Sequence, residues 1–560
     1  MKKRIHTLAD LYRAAGCDGD DAAIAMGERV RVVLPDDNDP WDHQISGLAA
    51  AMGTQRYGLY DEPGVGKTLP AMAYALYHIA IGNKVIVLMP PTLLEQLGQT
   101  LEDELPGAKE VATVHTLTQG PAERMKLYAQ WKKEGWPDML MMTYQMYERL
   151  DTPGAAYRVT KNKRMASNIT KLMETCKDPK AMKRLKSNLA VVERKIHTAT
   201  RREQDFLSLK ASPYLVAVCD EAKALRYPSS GISRAVKRFR DKHKESHLLL
   251  MDGTPAHNTL MDLYGFIAML SPELYGKKET FERTHCVYAH NARGEKVLTG
   301  FKKKGLMHRA LYQTGRRVLK SDVFKMQPPT IKVVPVALSA GHRALYKKLV
   351  KERILEFSDG SIIDASSQPS LRQKCMQMVV CPQLFTEKPM DSNVVYAADE
   401  YLDMLGVTPS FGEKLVLFAN RRSTVEFLTE RYQDRGAVAV YGGSGNNAAN
   451  IRAFKNDKTC QIMVANPVSG GVGLNLQDMC RYVMFVEPTS VPGEFKQAVE
   501  RVWRPGQKEH VSIIILKARG TVYPSSIASM LRKEADAVDV HKDSTSMLQE
   551  LLDDMPAKAA

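Results

Sequence analysis

Twice along this chain, short runs of consecutive apolar residues recur between longer stretches with helical periodicity. In the first block the runs fall at 57–60, 84–90, 139–144, 215–220 and 248–252. In the second they fall at 415–419, 437–441, 461–466, 482–487 and 511–516. A strand covered on one face alternates apolar and polar residues, whereas a strand covered on both faces is apolar throughout. Helical stretches between such strands act as crossovers, which make the strands parallel and the connections right-handed. The expected fold is therefore α/β, with two tandem parallel-sheet lobes and helical insertions. Lobe 1 is expected over 38–270 and lobe 2 over 395–535. Around them lie an N-terminal segment (1–37), an interlobe helical region (271–394) and a C-terminal tail (536–560). A chain of 560 residues is long enough for this division.

One stretch inside lobe 1 fits neither pattern. Residues 157–205 hold fourteen Lys and Arg against five Asp and Glu, an excess of +9 in a chain whose net charge is +16. Leu172, Met173, Met182, Leu185, Leu189 and Val192 recur there at roughly helical spacing. This reads as one or two basic helices inserted into the lobe. Its cations, among them Lys180, Lys183, Arg184 and Lys186, serve either nucleic-acid contact or simple solvation of an exposed face. The basic balance of the whole chain favours a polyanionic partner, although a soluble basic surface would give the same number.

Three local patterns carry chemistry. Asp61-Glu-Pro63-Gly64-Val65-Gly66-Lys67-Thr68 lies after a strand and before a helix, the context of a phosphate loop. Glycines let backbone N–H groups wrap phosphate oxygens, and the helix N-terminus adds a positive dipole. Lys67 would reach the β- and γ-phosphates, and the Thr68 hydroxyl would bind Mg²⁺. Asp61 stands where the strict pattern wants Gly. Second, Asp220 and Glu221 end an apolar strand, where one carboxylate can hold the metal and the other can deprotonate the attacking water. Third, Arg501 and Arg504 lie three apart in Gln497-Ala-Val-Glu-Arg-Val-Trp-Arg-Pro-Gly-Gln507. On one face of a helix they could stabilise charge on a phosphate held by the other lobe.

These motifs, in this order, resemble the Snf2-like branch of superfamily 2 helicases and translocases. Residues 61–68 resemble its motif I, 252–263 its motif III, 371–384 its interlobe Leu-Arg helix and 415–420 its motif IV. Residues 469–476 resemble motif V, and 497–507 motif VI. Trp41-Asp-His-Gln44 is similar to the segment that reads adenine, while Pro90-Pro91-Thr92 and Thr143-Tyr144 are similar to motifs Ia and Ic, which touch a DNA strand in that family. The resemblance implies RecA-like lobes, ATP and Mg²⁺ as ligands, and DNA, chiefly double-stranded, as partner. It implies nucleotide contacts at Gln44, residues 63–68, Gly473, Arg501 and Arg504, and nucleic-acid contacts at Pro91, Thr92, Thr143, Tyr144, Ser469 and Gly470. Two positions depart from the family pattern: Lys223 ends motif II where His or Gln is usual, and Asp252 opens motif III where a small hydroxyl residue is usual.

The implied activity is DNA-stimulated ATP hydrolysis coupled to tracking along duplex DNA. Strand separation or annealing on forked DNA or on RNA is a second reading, and an ATP-gated clamp with little turnover a third. The eight cysteines form no C-x-x-C pair, so a disulfide framework or zinc knuckle is not expected. His285, Cys286 and His290 form a loose cluster without a fourth metal ligand. No uninterrupted apolar stretch is long enough to span a bilayer, and the N-terminus lacks a secretory apolar core. A cytoplasmic protein, bacterial or from a phage-infected cell, is expected.

Overall fold

A computed structural model describes residues 5–34, 40–151, 155–291, 294–359, 361–408, 412–468, 475–543, 546–548 and 551. All ten apolar runs form strands in it. The first block's runs give β1 (Arg56–Leu59), β2 (Lys84–Met89), β4 (Met139–Thr143), β5 (Tyr214–Cys219) and β6 (His247–Met251), and β3 (Val114–Thr116) is an edge strand that no run marked. An antiparallel hairpin of β7 (Cys286–His290) and β8 (Lys296–Phe301) follows, then β9 (Gly315–Arg316). The remainder comprises β10 (Thr330–Val336), the antiparallel pair β11 (Ile354–Glu356) and β12 (Ile362–Asp364), β13 (Leu415–Phe418), β14 (Val438–Val440), β15 (Ile462–Ala465), β16 (Tyr482–Phe485) and β17 (Ser512–Ala518). The first sheet runs β3-β4-β2-β5-β6-β1-β9 and the second β10-β17-β16-β13-β15-β14, and both are parallel throughout.

Period-two alternation divides each sheet between two apolar layers. Along β2, Ile86 and Leu88 join Leu140, Met142 and Tyr147 on one side. Val85, Val87 and Met89 join Met139, Met141 and the buried face of helix Thr68–Ala80 on the other. In lobe 2, Leu415 and Leu417 face one layer, and Val416 and Phe418 the other. Continuous apolar runs are therefore needed, since neither face of these strands meets water.

Several boundaries differ from the sequence expectation. The stretch read as interlobe, 271–394, supplies an edge strand to each sheet: β9 to the first and β10 to the second. β9 is two residues long and β10 mixes Lys332 and Pro335 among its apolar residues, so neither shows the continuous apolar signature that the opposite edge strand β14 keeps. Pro335 is tolerated because one side of an edge strand donates to nothing. The N-terminal helices Leu8–Ala14 and Asp21–Gly27 are part of lobe 1, where Leu8, Leu11 and Tyr12 are buried and the Tyr12 hydroxyl donates to the Ala73 carbonyl at 2.9 Å. Helix Tyr523–His541 leaves lobe 2 and buries Ala537 and Val540 in the lobe 1 core.

The basic insert is a pair of packed helices, Ala155–Thr175 and Pro179–Lys210, with Asp178 capping the second. Its root is fixed by a buried two-pronged ion pair between Arg124 and Asp205, with N···O distances of 2.9 and 3.3 Å. No helix among the described residues is long and apolar enough to cross a membrane.

Candidate functional site

In a parallel sheet the carboxyl ends of all strands open on one edge, and ligand sites gather there. The order β5-β6-β1 sets Asp220 and Glu221, Asp252, and the loop after β1 side by side on that edge. The loop takes the backbone its glycines allow: Gly64 has φ +92° and Gly66 φ +79°, in the left-handed region where a side chain is strained. A Cβ at Gly66 would come 2.2 Å from Gln44 Nε2, and one at Gly64 would come 2.9 Å from Pro505 Cδ of lobe 2. Gln44 is buried beneath the loop. Its Nε2 donates to the Gly66 carbonyl at 2.8 Å, and its Oε1 accepts the Trp41 N–H at 2.9 Å. His43 Nε2 lies 2.8 Å from the Val65 carbonyl, and the Val65 side chain is buried. Pro63 packs against Gly253.

Lys67 donates to the carbonyls of Asp61 and, at 3.0 Å, of Glu62, so its ammonium lies over the mouth of its own loop. Thr68 begins the helix. Burial pulls the Lys67 pKa down, and the carboxylates of Asp61, Glu221 and Asp220 oppose that shift. The acidic pair that replaces glycine at the start of the motif is neutralised from the interlobe stretch. Asp61 is paired with Arg316 at 2.7 Å. Glu62 accepts the Lys320 N–H at 2.9 Å and lies 3.6 Å from Arg317. Burial would raise the Glu62 pKa, but Arg317 and Lys320 bring it below the usual carboxylate range.

At the end of β5, Glu221 has φ 48°, a left-handed conformation rare for a residue with a side chain. Its N–H donates to Asp220 Oδ1 at 2.8 Å. Asp252, the motif III departure, holds this turn by accepting the N–H groups of Lys223 at 2.5 Å and Thr254 at 2.8 Å. Burial pushes the Asp220 carboxyl up to about 7, the Glu221 charge adds to this, and Lys67 opposes it. Glu221 moves the other way: burial raises its pKa, but Lys223, Arg501 and Lys67 together outweigh that and lower it.

Lobe 2 meets this edge with helix Pro492–Val499 and the turns after it. Arg501 and Arg504 do not share a helix face, because the helix ends at Val499. Pro505 disfavours helical backbone at Arg504, and Gly506 turns the chain at φ +95°. Arg501 is buried, and its Nε donates to the Gln497 carbonyl at 3.1 Å. Burial lowers its pKa to about 10 against the opposing charge of Glu221. Arg504 bonds the Asn475 side chain. Lys223, the motif II departure, crosses between lobes: its Nζ donates to Gln497 Oε1 at 2.7 Å and lies 3.4 Å from Glu221 Oε2. A fully buried pair, Lys320 with Glu500 at 3.1 Å, lies beside it. The structure thus gathers the partly buried Lys67, Asp220 and Glu221 and the buried Arg501 into one electrostatic cluster, with Pro505 against the loop.

The expected nucleic-acid contacts divide. Pro91 and Thr92 open a helix on the same edge and are exposed. The Thr143 hydroxyl caps helix Tyr144–Leu150 by accepting the Met146 N–H at 3.1 Å. Tyr144 is corrected to a core residue: its ring is 2% exposed and its hydroxyl donates to the Asp220 carbonyl at 2.8 Å, so it props the turn that carries Asp220 and Glu221 and offers no side chain to a strand. Lys180, Lys183, Arg184 and Lys186 are exposed on the insert. Ser469, Gly470 and Gly473 lie outside the described residues. His285 of the loose cluster is engaged by Tyr275 at 2.7 Å and faces the Lys302 carbonyl at 3.3 Å.

Sequence reasoning missed Arg316, Arg317 and Lys320. Arg317 grips Asp543 at 2.7 and 2.9 Å and donates to the carbonyls of Tyr60 and Gly253. Only the bare sequence Arg316-Arg-Val-Leu-Lys320 hinted at them, in a stretch with no strand signature.

A phosphate-loop sequence in one parallel-sheet lobe, facing acids on the next strands and arginines from a second such lobe, defines a two-lobed P-loop protein. The family model of the SNF2-related domain matches residues 43–383, and the chain belongs to that family. The helicase conserved C-terminal domain model matches 397–506. The chain is 24% identical over 481 residues to the chromodomain-helicase-DNA-binding protein 1-like of Mus musculus, covering 83% of this chain and 45% of that one. It is 23% identical to the DNA repair and recombination protein RAD26 of Saccharomyces cerevisiae, covering 82% and 43%. The chain spans less than half the length of these relatives. The solved Sulfolobus solfataricus SWI2/SNF2 ATPase core in complex with dsDNA is similar at 17% identity and TM-score 0.35, covering 91% of this chain and 98% of that one.

Proposed function

We propose that this chain is an ATP-driven motor that hydrolyses ATP between its lobes and moves along duplex DNA. The observation that carries the reading is the position of Glu221, whose carboxylate lies 3.4 Å from Lys223 of its own lobe and accepts from Gln497 of the other at 3.4 Å, under the further charges of Arg501 and Lys67. A site built in this way is complete only when the lobes meet, so each turnover is tied to a change in their relation.

In this reading the loop 63–68 cradles the phosphates and Lys67 releases the loop carbonyls to bind the β- and γ-phosphates. Glu221 takes a proton from the attacking water, which its lowered pKa permits near neutrality. Arg501 and Arg504 stabilise charge on the γ-phosphate oxygens. Gln44 sets the loop through Gly66. The Asp220 carboxylate, pushed up by desolvation and by the neighbouring Glu221 charge, suits a hard divalent cation. Asp220 and Thr68 would hold Mg²⁺, which when bound neutralises phosphate oxygens. Pro91, Thr92 and Thr143 would line the DNA track, and cations of the insert would add backbone contacts.

The test is ATP turnover with no nucleic acid, duplex DNA, single-stranded DNA, forked DNA and RNA at one salt concentration. Stimulation greatest with duplex is expected, together with displacement of a triplex-forming strand from duplex DNA. Equal rates in every arm would sink the motor reading. Fork-specific stimulation with unwinding would replace tracking by strand separation, and binding without turnover would leave a clamp.

A further inference from the structure

The insert carries cations in two places that differ in shape. Lys180, Lys183, Arg184 and Lys186 follow the turn between its helices, and all are exposed. Elsewhere between the helices a groove of about 580 Å³ opens, rimmed by Arg158 and Lys161 from Ala155–Thr175 and by Arg194, Lys195 and Arg202 from Pro179–Lys210. These five cations are exposed, and none has an ion-pair partner among the described residues. No acid lines the groove, whose apolar lining is the buried Ala199 and the exposed Val191. A cleft of one charge sign with low-dielectric walls concentrates field in a way that scattered charges beside a turn cannot.

The spacing also fits a polyphosphate. Arg194 to Arg202 covers eight residues of helix, about 12 Å at 1.5 Å per residue. That is the axial span of three to four phosphates on one strand at roughly 3.4 Å each. The buried Arg124–Asp205 pair, only three residues beyond Arg202, fixes this part of the insert to lobe 1. The groove is thus held in place relative to the motor, which lowers the ordering entropy lost on binding.

We propose that this groove is a second nucleic-acid site: a grip on the phosphate backbone of duplex DNA, outside the interlobe cleft, that retains DNA on lobe 1 during the ATP cycle. The proposal rests on the reading of the chain as a DNA motor. It assigns the grip to the groove ahead of the cations beside the turn.

Two variants of the full chain remove equal charge: Arg194→Gln/Lys195→Gln/Arg202→Gln in the groove and Lys180→Gln/Lys183→Gln/Lys186→Gln beside the turn. Binding of a labelled random-sequence duplex is followed by fluorescence anisotropy across a series of KCl concentrations. Circular dichroism and DNA-free ATP turnover, both expected at the wild-type level, verify that the fold and the cleft are intact. The groove variant should flatten the slope of log affinity against log salt by about two to three units, at roughly 0.9 per lost contact. It should do so equally for every sequence, since phosphate contacts carry no base information. The turn variant should change the slope by less than about one unit. A groove variant with the wild-type slope, or a turn variant that flattens it as much, overturns the proposal; an unchanged slope would reassign the groove to an acidic protein partner. A wild-type chain with no salt-dependent duplex binding at all would overturn the motor reading itself, so the two failures are distinguishable.

Discussion

Glu221 combines a strained left-handed backbone with a carboxylate kept ionised by Lys223, Arg501 and Lys67. Strain of this kind persists only where the surroundings hold it, and here Asp252 and the Tyr144 hydroxyl do so by bonding the backbone on either side. Glu221→Gln should retain nucleotide binding and lose about 10²- to 10⁴-fold in turnover, the usual contribution of a general base. Single-turnover hydrolysis alongside fluorescent-nucleotide titration checks this, and wild-type hydrolysis would remove Glu221 from the role. Lys67→Ala should weaken both binding and turnover. Arg501→Ala and Arg504→Ala should bind nucleotide yet hydrolyse on the order of 10³-fold more slowly; if both keep the wild-type rate, the two-lobe site is wrong. Glu500→Ala would leave the Lys320 ammonium buried without its partner. Removing one member of a buried pair costs about 3–5 kcal/mol, which should appear as a lower denaturation midpoint.

Among the elements, the insert depends on its root. Its helices are rich in exposed cations, and Val192, Ala199, Asp205, Ser208 and Leu209 are the buried residues of the longer one. Most of that helix therefore gains little from packing, and Arg124–Asp205 carries much of the attachment. Arg124→Ala strands the Asp205 carboxylate in a buried site, again at about 3–5 kcal/mol. Amide hydrogen exchange should then quicken across residues 199–210 while β2 and β5 stay protected. Uniform protection in both would show that apolar packing alone fixes the root.

At the scale of the whole molecule, the lobes are joined by Lys223–Gln497, Lys320–Glu500, Arg317–Asp543 and the bond from the Gly493 N–H to the His257 carbonyl at 2.8 Å. Helix Tyr523–His541 adds Lys304–Asp536 and Tyr312–His541, each at 2.7 Å. A ligand shifts such a balance only through contacts that differ between states, and the γ-phosphate is the group that Arg501 and Arg504 can sense and ADP lacks. Small-angle scattering with DNA should give a smaller radius of gyration with an ATP transition-state analogue than with ADP. Equal radii would count heavily against nucleotide-driven closure.

Much of this molecule is legible in its residues because buried parallel strands and phosphate loops are written in local runs. The ten apolar stretches could satisfy their backbone and side chains together only inside covered sheets, and Gly64-Val-Gly-Lys-Thr68 needs its glycines wherever it folds. Edge strands β9 and β10 carried no such run, since β9 is only two residues long and β10 is interrupted by Lys332 and Pro335. The placement of Gln44 under the loop and of Tyr144 behind Asp220 depended on neighbours far away in the chain. So did the neutralisation of Asp61 and Glu62 by Arg316 and Arg317, and the crossing of Lys223 to Gln497. Each of these depends on burial, which decides whether a polar group faces solvent or must find a partner, and burial is fixed only when the sheets and lobes have packed.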